Sequence, residues 1–295
     1  MLHEYNIGEI LQTLRMNKEI SIEDLTKNIC SVEEYEQFEK ESAYPTVDQL
    51  YLLGQRLQVN LMYFFSMAKK SNQNYSQLII KLIDKYKKER DYKTIHKIVL
   101  KEQKSPVFEN VQLKQYLKWH EGICIYYLHN DVQTAISILE NAIKLTNPNM
   151  GDLTESELEI LTSIAMIIYE TKNYKEASLN FQRALDNLKS LPTIVDPKVK
   201  IRILFGYAQS LTGEEEYLLS LDFCKQGIDI CIEEELMYLF AELLYQTGEN
   251  YIKFGDRNLG RKYVKHSIYI CELTKQEKLA QIMKSELARM ENVSN

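Results

Sequence analysis

Glycine and proline are scarce in this chain. Its 295 residues hold 10 glycines and 5 prolines, where ordinary usage would supply roughly 20 and 15. Sandwiches, barrels and doubly wound sheets need turns rich in both, so the shortage points to helices with short connections. Cysteine is sparse as well. Cys30, Cys124, Cys224, Cys231 and Cys271 are odd in number, scattered and without a CxxC pair, which argues against a disulfide framework or zinc site and for reduced thiols. Apolar runs are short: stretches such as Ile164 to Tyr169 fall well below the roughly 20 residues of a membrane span. The start, Met1-Leu2-His3-Glu4-Tyr5-Asn6, lacks the basic-then-apolar order of a secretory signal. A soluble, cytoplasmic chain with no membrane partner is expected, and 45% hydrophobic residues exclude disorder.

Catalytic chemistry is missing too. His3, His96, His120, His129 and His266 are dispersed, with no HExxH and no paired spacing for zinc. Gly122, Gly151, Gly206, Gly213 and Gly227 are isolated rather than gathered into a phosphate loop. Cys224 and Cys231 sit two helical turns apart on one face and read as core thiols. Tyrosines such as Tyr169 and Tyr174, and Trp119, read as packing. No enzyme, cofactor or metal is expected.

Charge is uneven. Residues 1–66 carry five bases (Arg15, Lys18, Lys27, Lys40, Arg56) and eleven acids, a balance of −6 that equals the net charge of the whole chain. Residues 67–295 therefore balance at zero.

What is present is helical periodicity. Ile7, Ile10, Leu11 and Leu14 recur at helical spacing. Ser21 opens a capping-box pattern and a second helix with Ile22 and Leu25. Ser31 caps a third helix with Glu34 at its third position and an apolar face of Tyr35 and Phe38. Thr46 opens a fourth after the break at Tyr44-Pro45. Two short helices joined by a tight turn, with a further helix on each side, make a helix-turn-helix domain, expected over residues 1–60. A linker helix is expected over 61–73.

From residue 74 to 295 the pattern changes to pairs of longer amphipathic helices that repeat. In the clearest unit, Ser163 to Ala184, small Ala165 precedes small Ala177 by twelve residues, and Phe181 and Ala184 follow. These match the small and large positions of a tetratricopeptide repeat, where small residues let two antiparallel helices approach and a large one fills the groove between units. Equivalent second-helix sets are Ala135/Leu139/Ala142, Ser220/Cys224/Gly227 and Gly260/Val264/Ser267, with first-helix counterparts at Ala208 and Gly248. The starts lie 42, 43 and 40 residues apart, longer than the 34-residue standard. A weaker first unit is expected at 75–104, around Tyr92, Ile95 and Ile98, and a capping helix at 275–292. The expected fold class is all-α: a helix-turn-helix head, then a right-handed superhelix of about five degenerate repeats and a cap.

This order of domains resembles the peptide-responsive regulators of Gram-positive bacteria, and within them the PlcR-type quorum-sensing regulators. The likeness covers nearly the whole chain. It is carried by Leu25-Thr-Lys-Asn-Ile-Cys30, Ala43-Tyr-Pro-Thr-Val-Asp48, Arg56-Leu-Gln-Val59 and the aromatic run Tyr63-Phe64-Phe65. It implies a homodimer that binds a pseudo-palindromic duplex DNA site and is controlled by a short signalling peptide in the concave face of the repeats. In a repressor-type head, base edges would be met by Ser31, Val32, Glu33 and Gln37, with Gln37 suited to adenine, Glu33 to a cytosine amino group and Val32 to a thymine methyl. Ser21, Lys27, Lys40 and Tyr44 would contact phosphates.

Relative to each small packing residue of a first helix, positions three before, two before and one after should face the groove. They give Thr162, Ser163 and Met166, then Phe205, Gly206 and Gln209, then Tyr245, Gln246 and Glu249. Arg202 and Glu242 lie one turn further out, and the second repeat offers His120, Glu121, Cys124 and Tyr127. Aromatics among hydrogen-bonding groups suit an extended peptide. The resemblance places Asn where Ser163 and Gly206 stand, so the ligand or its register should differ. Lys88 and Arg90 match basic positions of the family and would hold a carboxylate. The acid run Glu33, Glu34, Glu36, Glu39 and Glu41 opposes duplex binding, because phosphate neutralisation normally dominates affinity. The alternative is a peptide-controlled repeat adaptor that grips a protein partner, its head no longer binding DNA.

Overall fold

The computed structural model describes residues 6–67, 71–191 and 196–292. His3, residues 68–70 of the expected linker helix and the Phe65 side chain lie outside that description. Among the described residues there are sixteen α-helices, one short 3-10 turn at Pro106–Glu109 and no strand. The chain divides into two compact units, Met1–Glu89 and Arg90–Asn295.

The first unit holds α1 (Ile7–Asn17), α2 (Ile22–Thr26), α3 (Val32–Glu39), α4 (Val47–Arg56), α5 (Leu61–Met67) and α6 (Ser71–Glu89). Three hydroxyls start three of these helices. Ser21 accepts from the Asp24 N–H at 3.1 Å, Ser31 from the Glu34 N–H at 3.1 Å and Thr46 from the Gln49 N–H at 3.2 Å. Gln49 returns the favour by accepting the Thr46 N–H at 2.8 Å, which completes a capping box. Each such cap contributes about 1 kcal/mol. Ile7, Leu11, Leu25, Tyr35, Phe38, Leu50, Leu53, Leu57 and Phe64 form a single buried cluster. Tyr35 and Phe38 face inward as the α3 periodicity requires, so the opposite side of α3 is left open.

The second unit opens with α7 (Tyr92–Glu102). Four helical hairpins follow: α8 (Val111–His129) with α9 (Val132–Thr146), α10 (Glu155–Glu170) with α11 (Tyr174–Ser190), α12 (Pro197–Gly213) with α13 (Tyr217–Glu233), and α14 (Phe240–Phe254) with α15 (Arg257–Leu273). The last helix, α16 (Glu277–Asn292), packs on α15. All twelve second-helix packing residues named from the sequence are buried. Close helix approach is strictest in the last hairpin: a Cβ on Gly248 would lie 2.7 Å from the Gly260 carbonyl oxygen. In the third, Ser220 keeps the spacing and donates its hydroxyl to the Ala208 carbonyl at 2.7 Å. Gly122, which looks isolated in the sequence, takes the same place in the first hairpin against Ala135 and Leu139. The first helices α8, α10, α12 and α14 pack side by side, each on the next. They form one continuous inner layer, the side on which a stack of hairpins is concave.

Glycine scarcity has a structural answer. Nine helices end with a non-glycine residue in the left-handed region: Glu19, Glu41, Gln58, Arg90, Asn130, Lys172, Glu215, Glu235 and Lys275, with φ from 54° to 67°. At Glu215, Glu235 and Lys275 the following residue closes a Schellman bond, such as the Glu216 N–H to the Leu211 carbonyl at 2.9 Å.

Candidate functional site

Two surfaces carry the residues singled out in the sequence. The first is the open side of α3. Glu33, Glu36, Gln37 and Lys40 recur at helical spacing and are exposed there, with Ser31 exposed at its start. Val32 and Tyr44 are half-buried, and Lys27 is exposed just after α2. Ser21 is less open to a phosphate, because its hydroxyl already donates to the Asp24 carboxylate at 2.8 Å.

The acid run is not all on that surface. The Arg15 guanidinium takes Glu39 in two bonds, Nε to Oε1 at 2.7 Å and Nη2 to Oε2 at 3.1 Å. Glu34 accepts from Gln49 Nε2 at 3.0 Å, and Glu36 pairs with Lys40 at 3.3 Å. The hydrogen bond from Arg15 to Glu39 holds the guanidinium above its ordinary value despite burial.

The second surface is the inner layer of the repeats. On α12 and α14 the same three rows are half-exposed: six before, three before and one after the small residue. They hold Arg202, Phe205 and Gln209 on α12, and Glu242, Tyr245 and Glu249 on α14. On α10 the outer two rows are half-exposed at Glu159 and Met166, while Thr162 between them is buried.

The row two before the small residue differs from the sequence expectation. Ser163 is 3% and Gln246 4% exposed, and both face the neighbouring repeat rather than the open layer. Ser163 Oγ accepts from Trp119 Nε1 of α8 at 2.9 Å and from Arg202 Nη2 of α12 at 3.3 Å, and donates to the Glu159 carbonyl at 2.9 Å. One hydroxyl thus ties three successive first helices with its hydrogen-bonding capacity filled. Gln246 donates to Thr212 at 2.9 Å and Glu249 at 3.0 Å. Thr212 donates to Asn250 at 2.7 Å, and Asn250 to Ser220 at 2.7 Å. Gly206 lies under Phe181 of the preceding repeat, whose ring fills the place of a side chain. This row points backward along the stack because it lies on the contact between consecutive first helices.

The other expected residues are dispersed. Tyr127 is exposed, stacks on Tyr92 at 4.1 Å and donates to Glu170 at 2.7 Å. His120 and Cys124 are buried, and Glu121 accepts from Gln103 at 2.8 Å. Arg90 is exposed with φ 56°, and its charge is felt at Glu242. Lys88 belongs to the first unit. Glu159, Thr212 and Asn250 were missed. Extending the Arg202 row back by one repeat finds Glu159; Thr212 and Asn250 announce themselves only as polar residues at core spacing.

Among the described residues no helix is long and apolar enough to cross a membrane, and no group of three or more His, Cys, Asp or Glu is placed to hold a metal ion.

A family model described as the RNPP family C-terminal domain matches residues 80–287. No curated protein sequence matches the chain. Among solved structures, Bacillus thuringiensis PlcR in complex with the peptide PapR7 and DNA is similar at 21% identity, with a TM-score of 0.80 over 95% of this chain and 99% of that one. ComR from S. thermophilus, in complex with DNA and its signalling peptide ComS, is 13% identical with a TM-score of 0.65, over 96% and 99% of the two chains. The Streptococcus dysgalactiae SHP pheromone receptor Rgg2 is 15% identical with a TM-score of 0.65, over the same shares.

Proposed function

The chain belongs to the RNPP family, and from that premise we propose that it is a cytoplasmic, peptide-responsive transcriptional regulator. It acts as a homodimer, binding a pseudo-palindromic duplex site through residues 1–60 and a short signalling peptide through residues 74–295, with residues 61–73 as the linker. The observation that carries this reading is the inner layer: Arg202, Phe205 and Gln209 on one helix, and Glu242, Tyr245 and Glu249 on the next, present aromatic, charged and amide groups in the same rows. An extended peptide needs partners for its backbone and pockets for its side chains at such a regular interval. The solved complexes of PlcR and ComR hold peptide and DNA together, which supports the same pairing here.

The peptide changes duplex affinity through the polar ties between repeats. A ligand on Arg202 or Glu249 pulls on Ser163 or Gln246, hence on the angle between neighbouring first helices. A ligand that prefers one angle shifts the spacing of two heads on half-sites about one helical turn apart.

Selection of full-length protein on a randomised duplex pool at low salt, with and without a synthetic peptide from a neighbouring small reading frame, tests this. Enrichment of a two-fold site that responds to peptide is expected. Gln37→Ala should cost about 1–3 kcal/mol at one base position and relax selectivity there. Tyr245→Ala should remove the peptide response while duplex binding stays. No selective enrichment at low salt would leave the adaptor as the reading.

A further inference from the structure

The charges that face the inner layer are satisfied within it, with one exception. Arg202 Nη1 lies 3.7 Å from Glu159 Oε1, and Arg202 also bonds Ser163. Glu249 pairs with Lys253 at 2.9 Å and holds Gln246 at 3.0 Å. Glu170 takes the Tyr127 hydroxyl at 2.7 Å. Glu242 stands in the same row as Glu159 and Arg202, half-buried, yet among the described residues no cation and no side-chain donor meets its carboxylate. What it has is its own backbone N–H in the first turn of α14 and the field of Arg90.

Aromatic groups stand beside it. Tyr238, in the turn just before α14, has a phenol that feels the charges of Arg202, Glu159 and Glu242, and Tyr245 follows Glu242 by one helical turn on the same half-exposed stripe. Carboxylate and aromatic faces together are what an ammonium or guanidinium prefers. The fold itself does not need the charge. Burial holds the Glu242 carboxyl above its ordinary range, so its favourable contribution is present when it is protonated in acid and is lost as pH rises through the raised value. At neutral pH the ionised group is a burden on the folded state.

We propose that Glu242 is the groove's receptor for a positively charged group on the ligand, either a free N-terminal ammonium or a Lys or Arg side chain. The assignment rests on the groove being the peptide site. It also gives the groove a direction: the cation lies at the α14 end, and Arg202, one repeat earlier, is left to the ligand's backbone carbonyls.

The test uses the immobilised full-length chain and pools of short synthetic peptides built from Leu, Ile, Phe, Val, Ser, Asn and Gly, amidated at the C-terminus. One pool has a free N-terminus, one is N-acetylated, and one is N-acetylated with a single Lys at varied positions. Retained peptides are identified by mass spectrometry and their affinities measured by fluorescence anisotropy. The native chain should hold peptides of a cationic pool about tenfold more tightly than acetylated neutral ones, a difference of about 1.4 kcal/mol, and which cationic pool wins identifies the source of the charge. Glu242→Gln should erase that preference, still bind neutral peptides, and resist urea better than the native chain at pH 7. Retention without regard to charge, or a cation preference that survives in Glu242→Gln, overturns the assignment alone. Retention of no pool overturns the groove reading and this assignment with it.

Discussion

Gly206 offers the sharpest test of how the inner layer is built. A Cβ placed on it would lie 2.3 Å from Cζ and 2.5 Å from Cε1 of Phe181, a ring that is fully buried in the main core of the repeats. Replacement by Ala gains about 1 kcal/mol in helix propensity but forces the ring or α12 to move, at about 1–3 kcal/mol for an overpacked core. The net effect should be destabilising by up to about 2 kcal/mol. Asn, the residue the family resemblance places here, should cost more, since it adds further volume and buries an amide. Phe181→Leu costs about 1–2 kcal/mol for lost burial but opens the space beneath Gly206. In urea titrations followed by circular dichroism, the double variant should therefore be more stable than the sum of the single changes by at least about 1 kcal/mol. Additivity within about 0.3 kcal/mol, or Gly206→Ala stabilising by its whole propensity gain, would show that Phe181 does not occupy the side-chain place. The absence of Asn at this position would then need another cause.

Helix ends and buried thiols give two further expectations. Glu215→Gly, Glu235→Gly and Lys275→Gly each relieve a left-handed residue at a helix end and should stabilise the chain by roughly 0.5–1 kcal/mol apiece; unchanged urea midpoints would mean that the side chains compensate for the backbone. Burial pushes the Cys124 and Cys224 thiols up to about 12 and those of Cys231 and Cys271 up to about 11, so at pH 8 all four stay protonated and shielded. Native alkylation with mass mapping should label half-buried Cys30 first, and early labelling of Cys224 would contradict the packing of α13.

The sequence was most legible where backbone geometry forces a residue type. Ser21, Ser31 and Thr46 could be read as caps because an N–H at a helix start must be met, and the structure bonds each as expected. The twelve-residue interval from Ala165 to Ala177 and from Gly248 to Gly260 could be read because two helix backbones approach only over small residues. The inner layer was legible by row but not by occupancy. Arg202 and Glu242 stand where the periodicity put them, whereas the row of Ser163 and Gln246 turned out to be an inter-repeat contact. A single helix's periodicity separates inside from outside; it does not separate an open concave surface from the seam with the next helix, since the two differ by only one residue's rotation. The seam's polar chemistry hid the distinction further, because Ser and Gln read equally as ligand contacts or as ties between helices.

The head poses the same question in terms of charge, and it yields a measurable number. Acids crowd the sequence around α3, but Glu34 and Glu39 are engaged inside the head and Glu36 is held in a surface pair with Lys40. Some of the bases are committed as well. Arg15 is held by Glu39, and Arg56 Nη1 bonds the Leu25 carbonyl at 2.8 Å. That leaves exposed Lys27, exposed Lys18, whose one partner among the described residues is the neutral Gln58 amide at 2.9 Å, and Lys40 in a surface pair with Glu36 that contributes little and exchanges readily for a phosphate. Three available cations per head, in the proposed dimer, release about six counterions. The slope of log K against log salt should then be no steeper than roughly −4 to −6, with selectivity carried by uncharged contacts at Gln37, Val32 and Ser31. Lys27→Ala should flatten the slope by about 2 in the dimer without changing the preferred site. A slope near −8 would refute this account, because that many phosphates cannot be met by the three bases each head leaves free, and cations outside residues 1–60 would then have to reach the duplex.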